Sequence, residues 1–433
     1  MRGIVRLAAM VAALLVGLST LPAQSVAQTP PPLAPGVSAS LDRARAERGA
    51  RMSVAILVYG PGSYVFEKFG HIALALTDSS TGEEIAFNWG MFDFDQPNFL
   101  GRFLTGDTKY WMAGYRTADF NASYMGDNRR IRRQELQLSP TERGAIADFL
   151  AWNVVDANKY YRYDYYADNC ATRVRDLLNW ALRGALKPQF DVPGGGRTWR
   201  NETARITADD PFVYPGIQIA LGRHADHPLR KWEESFLPDL LANHLADVTV
   251  RDSSGALVKL VQHDSVLFSS SRTPLPDEAP SRLFVALLIG LVLSAIIVLC
   301  AAATAPAVRV ALAVFASLWF GIGAFLGTAL LLAGTVTKHA PYMGANVTLL
   351  QLHPMLAVAM VVVPLALVRG RRSNAAVGIT ALLAVLAAAG VLLQAVPSWH
   401  QQSGVVMAIT VPVHVAFALA MRRVGSRVTL ATS

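Results

Sequence analysis

The chain has 433 residues, is 52% hydrophobic, contains two cysteines and carries a formal net charge of +8. This length allows two or three domains. Much of the positive charge is arginine beside apolar stretches, which indicates membrane orientation, and zinc-finger, RNP and helix–turn–helix signatures are lacking. Composition and charge therefore exclude nucleic acid as the expected partner and favour a membrane protein.

The first 27 residues have the pattern of a secretory signal peptide. Arg2 and Arg6 precede an apolar run over residues 7–18, and a small-residue site of the A-x-A type ends at Ala27. We expect cleavage after Ala27 and export of the residues that follow. A flexible, proline-rich linker is predicted over residues 28–50.

Residues 51–278 are predicted to form an exported domain of the α+β class. Short apolar runs separated by glycine-bearing turns are typical of strands. Because two of these strands would form a hairpin, His71 and Asn88 could face each other across it. The predicted strands comprise residues 53–60, 70–77 and 85–89.

Two helix starts follow from capping patterns. The sequence Ser-Pro-Thr-Glu over residues 139–142 supplies an N-cap, a first-turn proline and a third-position glutamate, and this helix runs to about Asn153. A second helix begins at Cys170, where Asp168 or Asn169 can act as the cap. Strands would then carry a histidine and a helix would carry a thiol.

Cys170 is the only cysteine of the predicted exported domain. The other cysteine, Cys300, lies inside an apolar stretch and is not a credible disulfide partner. A leftover thiol in an exported domain is either a buried, inert side chain or a reactive one. Cysteine spacing alone leaves both alternatives open.

The position of Cys170 suits nucleophilic chemistry. A thiol at a helix start experiences the positive end of the helix dipole, and Arg173 one turn on adds a full charge, so we expect the thiolate to be favoured. His71 could take the proton as a general base. The N–H groups of Cys170 and Ala171 at the helix start could stabilise a developing oxyanion.

A third polar group should orient the ring of His71. Asn88 is the first choice, and Asp93 and Asp164 are the reserves. If His71 is instead a structural histidine, the base would be sought among the histidines of residues 224–227. That segment is short and lacks a spaced third ligand, so we expect no metal site and no cofactor.

Four arginines lie close together, at Arg129, Arg130, Arg132 and Arg133. Such a cluster could bind the phosphates of lipid headgroups near a membrane. A run of this kind is more often a solvated face, and that is the interpretation we favour.

Residues 279–433 are predicted to form a membrane domain of five transmembrane helices. Each apolar stretch is about 20 residues long, which is enough to cross the bilayer core. With residues 28–280 outside, the arginines that flank these stretches fall inside, as the positive-inside rule requires. The predicted spans comprise residues 283–304, 310–333, 347–368, 375–396 and 404–421.

Polar side chains lie at the predicted outer end of this domain. His339 and Asn346 fall in the second outer loop, and His353 lies about one turn into the third predicted span. Polar groups at that depth mark either a functional cavity or an interfacial anchor, and both alternatives stay open.

Three segments together resemble the Lnb-type periplasmic domain family: residues 69–71, 87–94 and 163–173, with Asn-Cys-Ala-Thr-Arg as the most specific part. The resemblance covers about residues 50–430. It implies lipoprotein N-acyl transfer, in which an acyl chain moves from the diacylglyceryl group to the N-terminal amine and leaves the lyso form. The order of histidine before cysteine also resembles circularly permuted NlpC/P60 (papain-like) folds, such as the lecithin–retinol acyltransferase type.

The resemblance also implies roles for individual residues. Cys170 matches the nucleophile and His71 matches the base, whereas the orienting role of Asn88 is our inference from its position in a matching segment. The residues of the cysteine segment that we expect to contact substrate are Tyr163, Asp164, Asn169 and Arg173.

The sequence thus predicts a cysteine-dependent acyltransferase of the inner membrane, with its catalytic domain in the periplasm. Its expected partners are a lipoprotein or phospholipid substrate and membrane lipids. One alternative is an NlpC/P60-like cysteine hydrolase that cuts envelope amide bonds, although a wall hydrolase needs at most one anchor. Another is a non-catalytic envelope sensor or assembly protein in which Cys170 is structural.

Overall fold

The computed structural model describes residues 38–252 and 254–425. The predicted signal peptide (1–27) and the first part of the predicted linker lie outside the described residues. The described chain divides into two compact units. The sheet unit contains residues 38–199 and 228–277, and the helical unit contains residues 200–227 and 278–425.

The sheet unit is built on antiparallel strands. Those in its described part are β1 (Met52–Tyr59), β2 (His71–Asp78), β3 (Glu83–Met91), β4 (Lys109–Arg116), β5 (Ile131–Leu136), β6 (Tyr160–Arg162), β7 (Thr249–Arg251), β8 (Leu257–Lys259) and β9 (Val261–Phe268). Seven of these strands form one sheet in the order β6-β4-β3-β2-β1-β5-β9. β7 pairs with β8 in a separate ribbon.

Helices cover both faces of this sheet. The described helices that precede the apolar half of the chain are α1 (Ser38–Gly49), α2 (Phe99–Thr105), α3 (Thr117–Gly126), α4 (Pro140–Asn153), α5 (Cys170–Ala181), α6 (Leu186–Phe190), α7 (Trp199–Ile206), α8 (Val213–Ala220), α9 (Lys231–Glu234) and α10 (Pro238–Asp247). On one face, Val54 and Ile56 of β1 pack in a core with α4, α5 and α10. On the other face, Ala55 and Leu57 pack with side chains of α3. β1 is therefore buried on both faces, which explains its uninterrupted apolar sequence.

The predicted α+β class is confirmed, and the predicted strands correspond to β1, β2 and β3. The predicted capping box also starts α4. Ser139 Oγ accepts the N–H of Glu142 at 3.3 Å, and Glu142 Oε2 accepts the N–H of Ser139 at 2.7 Å. α5 begins at Cys170, as its local sequence predicts.

Helix α1 lies within the range predicted to be a flexible linker. It packs closely on α4, since a Cβ on Gly49 would lie 1.8 Å from a main-chain oxygen of that helix. Arg45 Nε also donates to Asp148 Oδ2 at 2.9 Å. Residues 38–49 are thus part of the sheet unit and not of a linker.

The helical unit contains the apolar C-terminal part of the chain. Its further described helices are α11 (Leu283–Ala302), α12 (Pro306–Val336), α13 (Ala340–Met343), α14 (Leu356–Arg369), α15 (Asn374–Leu393) and α16 (Gly404–Arg423). Among the described helices, α11, α12, α15 and α16 are long and apolar enough to cross a membrane. Residues 200–227 group with this unit, although they fall inside the predicted domain 51–278.

The third predicted span, residues 347–368, is not confirmed. Its α-helix, α14, has 14 residues. At 1.5 Å per residue it reaches about 21 Å, which is short of a bilayer core of about 30 Å. The segment Val347–Leu350 forms a 3-10 helix with the side chain of Asn346 as its cap. Because Pro354 has no N–H to donate and disfavours helix in the preceding residue, α14 begins only after it.

Asn346 has a structural role in the helical unit. Its Nδ2 donates to the carbonyls of Ile219 (2.9 Å) and Ala220 (3.0 Å), and its Oδ1 accepts from Gln401 Nε2 at 2.9 Å. Asn346 and Gln401 are both buried. His353 likewise bonds the main chain, with Nδ1 accepting a backbone N–H at 3.1 Å. Asn346 and His353 therefore fix the main chain of this segment, and the two roles that the sequence left open for these residues and His339 stay predictions.

The positive-inside rule makes a testable prediction for α14. We expect a reporter fused after Arg372 to be cytoplasmic and one inserted at Met343 to be outside, because arginines follow both α14 and α16. Alkaline phosphatase and a fluorescent protein that folds only in the cytoplasm would report the two sides. If both positions lie on one side, α14 does not cross and the number of spans is four.

Candidate active site

Cys170 lies at the start of α5, where a capping box fixes the chain. Asn169 Oδ1 accepts the N–H groups of Ala171 (2.9 Å) and Thr172 (3.0 Å), and Thr172 Oγ1 accepts the N–H of Asn169 at 2.8 Å. Asn169 is thus the cap, and Asp168 is not. The thiol is 7% exposed and packs in the core between α5 and the sheet.

Asn169 also joins α5 to the rest of the sheet unit. Its Nδ2 donates to the carbonyl oxygens of Tyr165 and Phe236, both at 2.9 Å. Both N–H bonds of the amide and its oxygen are therefore used within the protein. The contact with substrate that the sequence predicts for Asn169 would have to break one of these bonds.

The predicted positive neighbour of the thiol, Arg173, is paired with another residue. Its Nε and Nη2 donate to the two carboxylate oxygens of Asp168 at 2.6 and 2.9 Å, and its guanidinium lies 3.9 Å from the centroid of the Tyr161 ring. Both partners of this ion pair are buried. The bidentate pair balances the charge of Arg173 and fixes the turn that precedes Cys170.

The reserve partners of His71 have other roles. Asp164 is buried, and its Oδ1 accepts the N–H groups of Tyr166 (3.1 Å) and Ala167 (3.0 Å), which closes the turn before α5. Asp93 is exposed, and its Oδ1 accepts a backbone N–H two residues on at 2.9 Å. The group that the structure places against His71 is Asn88.

The predicted meeting of His71 and Asn88 across the β2–β3 hairpin is confirmed. His71 Nε2 lies 3.3 Å from Asn88 Oδ1. Asn88 Nδ2 donates to the carbonyl of Ala113 on β4 at 3.2 Å, so the amide oxygen must face the ring. This network assigns the proton of the neutral imidazole to Nε2 and leaves Nδ1 as the basic nitrogen.

Aromatic rings enclose the imidazole of His71. The rings of Tyr59, Phe120 and Tyr124 have centroids 6.2 to 6.3 Å from it, and Tyr124 is nearly parallel to it. Burial lowers the pKa of His71 to about 4, Asn88 raises it, and the positive charge of Arg129 lowers it further. His71 is therefore neutral at pH 7.

Arg129 belongs to the surroundings of the candidate site. The sequence had predicted that this residue lies on a solvated face. It is buried, its Nε donates to the carbonyl of Gly60 at 2.9 Å, and its guanidinium pairs with Glu67 at 3.3 Å. The guanidinium also lies 4.5 Å from the centroid of the Tyr124 ring. Its charge acts on both His71 and Cys170, lowering the pKa of each.

The other arginines of the predicted solvated face are paired as well, so that interpretation is wrong. Arg132 binds Asp264 of β9 with contacts of 2.6 and 2.9 Å, and Arg133 binds Glu84 of β3. Arg130 pairs with Asp239 of α10. The physical reason is long-range, because β9, which pairs with β5, together with the more distant β3 and helix α10 bring carboxylates to these arginines. These pairs also occupy the groups that a lipid phosphate would need.

The thiol and the imidazole rest in their neutral forms. Burial raises the pKa of the Cys170 thiol to about 11, although backbone N–H groups and the charge of Arg129 lower it. The thiolate expected from the sequence is therefore not the resting state at pH 7. Desolvation outweighs the favourable helix start, and Asp168 balances the charge of Arg173.

Three backbone N–H groups donate towards the sulfur of Cys170. Those of Cys170 and Ala171 are the two that the helix start predicts, and that of Ile72 on β2 is a third. Donors in this position can stabilise a thiolate or an adjacent oxyanion. The sequence gives no sign of Ile72, because its role depends on how β2 packs against α5.

Gly90 keeps open the space that the candidate residues share. It has φ of +101°, at a register shift between β3 and β4. A Cβ built on Gly90 would lie 3.9 Å from both His71 Cε1 and Cys170 Cβ, and 3.7 Å from Tyr163 Cε2. These groups therefore border one small space, and the predicted substrate residue Tyr163 is among them. The sequence indicates a close approach at this position only through a glycine inside a segment with a strand pattern.

Residues 44–204 match the family model of the Lnb N-terminal periplasmic domain. His71, Asn88, Gly90 and Cys170 all lie within this match, so the resemblance is confirmed where the candidate site lies. The chain thus combines a segment similar to the Lnb N-terminal periplasmic domain with described helices long enough to cross a membrane. No curated protein and no solved structure matches the chain. The permuted NlpC/P60 fold stays a prediction.

The raised pKa of Cys170 predicts how its alkylation depends on pH. Between pH 7 and 9 we expect the rate to rise about tenfold per pH unit, because the thiolate fraction rises by that factor below the pKa. Iodoacetamide labelling of a Cys300→Ser protein, followed by mass spectrometry, would measure it. A rate that is already constant above pH 7 would show that the thiolate predominates at rest.

Gly90 offers a second test with a matched control. We expect Gly90→Ala and Gly82→Ala to lower the free energy of unfolding by about 1–3 kcal/mol each, since both glycines have positive φ. A Cβ on Gly82 has no atom within 4 Å, whereas one on Gly90 fills the shared space. Alkylation of Cys170 should therefore slow only in Gly90→Ala. Equal rates in the two variants would mean that the space does not admit reagents to the thiol.

Proposed function

We propose that this chain is a cysteine-dependent acyltransferase of the inner membrane, which moves a lipid acyl chain to the N-terminal amine of a lipoprotein. The observation that carries the proposal is the convergence of a thiol, an oriented imidazole and backbone N–H donors around Gly90. The match of residues 44–204 to the Lnb periplasmic domain supports this chemistry. The helices long enough to cross a membrane support a lipid as acyl donor.

In the first step, the donor ester carbonyl enters the space beside Gly90. As the sulfur of Cys170 attacks the carbonyl carbon, its proton passes to Nδ1 of His71. The backbone N–H groups of Ile72 and Cys170 stabilise the negative oxygen of the tetrahedral intermediate, since the N–H of Ala171 is bonded to Asn169 Oδ1. Collapse breaks the ester C–O bond, and the imidazolium returns the proton to the leaving alcohol oxygen. The products are a thioester on Cys170 and a lipoprotein whose diacylglyceryl group has lost one acyl chain, which is the lyso form.

In the second step, a neutral amine attacks the thioester carbonyl. His71 takes a proton from the attacking nitrogen and delivers it to the departing sulfur, which restores the thiol of Cys170. The result is an amide bond on the acceptor. Asn88 contributes in both steps by holding the tautomer in which Nδ1 is free.

Burial of the site favours transfer over hydrolysis. Water is the main competitor for a thioester, and a nucleophile that is 7% exposed offers little room for it. Neutral resting forms of Cys170 and His71 also suit an apolar space, since an ion pair there would have to be desolvated. A wall hydrolase requires the opposite, because water must reach the acyl enzyme. The buried thiol thus favours the acyltransferase over the hydrolase alternative.

Lipoprotein N-termini test the proposal directly. Mass spectrometry of a lipoprotein from cells with and without this protein should show an N-acylated, lyso form only when the protein is present. We expect Cys170→Ser and His71→Ala to abolish that form, because nucleophile and base act as a unit. Asn88→Ala should retain more activity than either, since an orienting group is only part of the unit. Cys300→Ser, which removes the other thiol, should be normal.

Two outcomes would contradict this assignment. Full transfer by Cys170→Ser would remove the thioester mechanism, and near-normal transfer by His71→Ala would mean that another group is the base. If the N-termini are unchanged but stem peptides or other envelope amides are cut in a Cys170-dependent way, the hydrolase alternative replaces the acyltransferase. A protein with no Cys170-dependent change in either product would be the non-catalytic alternative.

A further inference from the structure

The sheet unit exposes a continuous band of large apolar side chains, which we name the aromatic strip and define as residues 64–66 and 92–104. Tyr64 is 66% exposed, Phe94 is 61%, Leu100 is 68% and Leu104 is 61%. Exposed apolar side chains are ordinary when they are scattered, but a contiguous group marks a binding surface.

Ring contacts make this strip continuous. Phe66 lies 5.4 Å from Phe92 and 6.2 Å from Phe94, measured between ring centroids. Phe94 lies 5.1 Å from Phe99, the first residue of α2. Leu100 and Leu104 lie one and five residues further along the same helix. Two loops that are distant in sequence therefore form one surface.

The strip reaches the candidate active site through two tyrosines. Phe92 lies 5.1 Å from Tyr110, and Tyr110 is stacked on Tyr163 at 4.3 Å. Tyr163 in turn borders the space beside Gly90 that Cys170 shares. A chain of contacting aromatic rings thus connects the exposed strip with the residues that border the nucleophile.

We propose that the aromatic strip binds the ester-linked acyl chain of the lipoprotein's diacylglyceryl group, which is the chain donated at Cys170. This inference rests on the proposed function and adds the path of the donor. A fatty acyl chain is long, flexible and apolar, and it needs a contact surface of the same character that ends at the reacting carbonyl. The strip has that character and that end point.

The charges around the strip favour the acyl chain, not the headgroup, as the group that is recognised. The charged residues within the 92–104 segment are Asp93, Asp95 and Arg102, which give no net positive charge. These charged residues would repel an anionic headgroup or leave it unbound. The chain also carries four described helices that are long enough to cross a membrane, so lipid is the apolar partner that always lies within its reach. Binding should therefore be insensitive to the fraction of anionic lipid.

The test uses the full chain in nanodiscs that contain a diacylglyceryl lipopeptide with a diazirine at the end of its ester-linked acyl chains. After illumination, mass spectrometry of peptides locates the label. We expect label in the aromatic strip of the native protein, and the triple variant Phe94→Ser, Leu100→Ser, Leu104→Ser should lose at least about tenfold of it, the loss expected from removing large apolar contacts. Its KM for the lipid donor should rise with kcat little changed, because the strip binds substrate and transition state alike.

A matched control is available on β8 and β9. Leu257, Val266 and Leu267 are 66%, 54% and 49% exposed in the same sheet unit. The triple variant Leu257→Ser, Val266→Ser, Leu267→Ser should label and turn over like the native protein. The alkylation rate of Cys170 in both triple variants checks that the site is folded.

Equal labelling of the strip in the two triple variants would overturn the proposal, as would label confined to other segments. The proposal would also be wrong if the strip captured a protein and lipid labelling did not change when the strip was altered. If neither the native protein nor any variant transfers an acyl group, the labelling alone decides whether the strip binds an acyl chain. Strip-dependent labelling would then keep the lipid site while the acyltransferase proposal fails.

Discussion

The amide side chain of Asn169 is the constraint on which the candidate site depends. Its oxygen caps α5 and its two N–H bonds hold the carbonyls of Tyr165 and Phe236, so one buried side chain joins the helix, the preceding turn and the segment before α10. Exchange of the cap for alanine would remove about 1–2 kcal/mol of helix stabilisation and leave two buried carbonyls without that donor. The sulfur would then lose its fixed position relative to β2, where Ile72 and His71 lie.

The parts of the site that are local in sequence could be predicted, and the parts that depend on long-range packing could not. Cys170 at a helix start, its cap Asn169 and the facing of His71 and Asn88 follow from capping rules and hairpin geometry. The burial of Arg129 and the donor at Ile72 depend on the register of β1, β2 and β5 and on the packing of α5. These contacts join residues far apart in the chain, and the local sequence around each residue does not indicate them.

Differences between the predicted and the observed elements have physical causes of the same kind. A count of apolar residues gives residues 347–368 enough length for a span, but Pro354 interrupts the helix and Asn346 folds the preceding chain into a 3-10 turn. The charge of Arg173 was assigned to the thiol because the two are close in sequence. Asp168 is closer in space and neutralises it. In both cases one polar or cyclic side chain outweighs the average property of its segment.

The neutrality of the site also bears on which amine could accept an acyl group in the proposed reaction. The acceptor must arrive uncharged, because an ammonium nitrogen has no lone pair with which to attack the thioester, and His71, with a pKa near 4, is neutral at rest and carries no charge that would favour the free amine. An α-amino group has a pKa near 7.7–8.0 and a lysine side chain near 10.4, so at pH 7 the neutral fraction of the former is roughly a few hundred times greater. Desolvation in a buried space adds to the penalty for any amine that enters charged. In the proposed reaction, such a site would select a chain N-terminus over lysine through its electrostatics, before any contact with the rest of the acceptor is made.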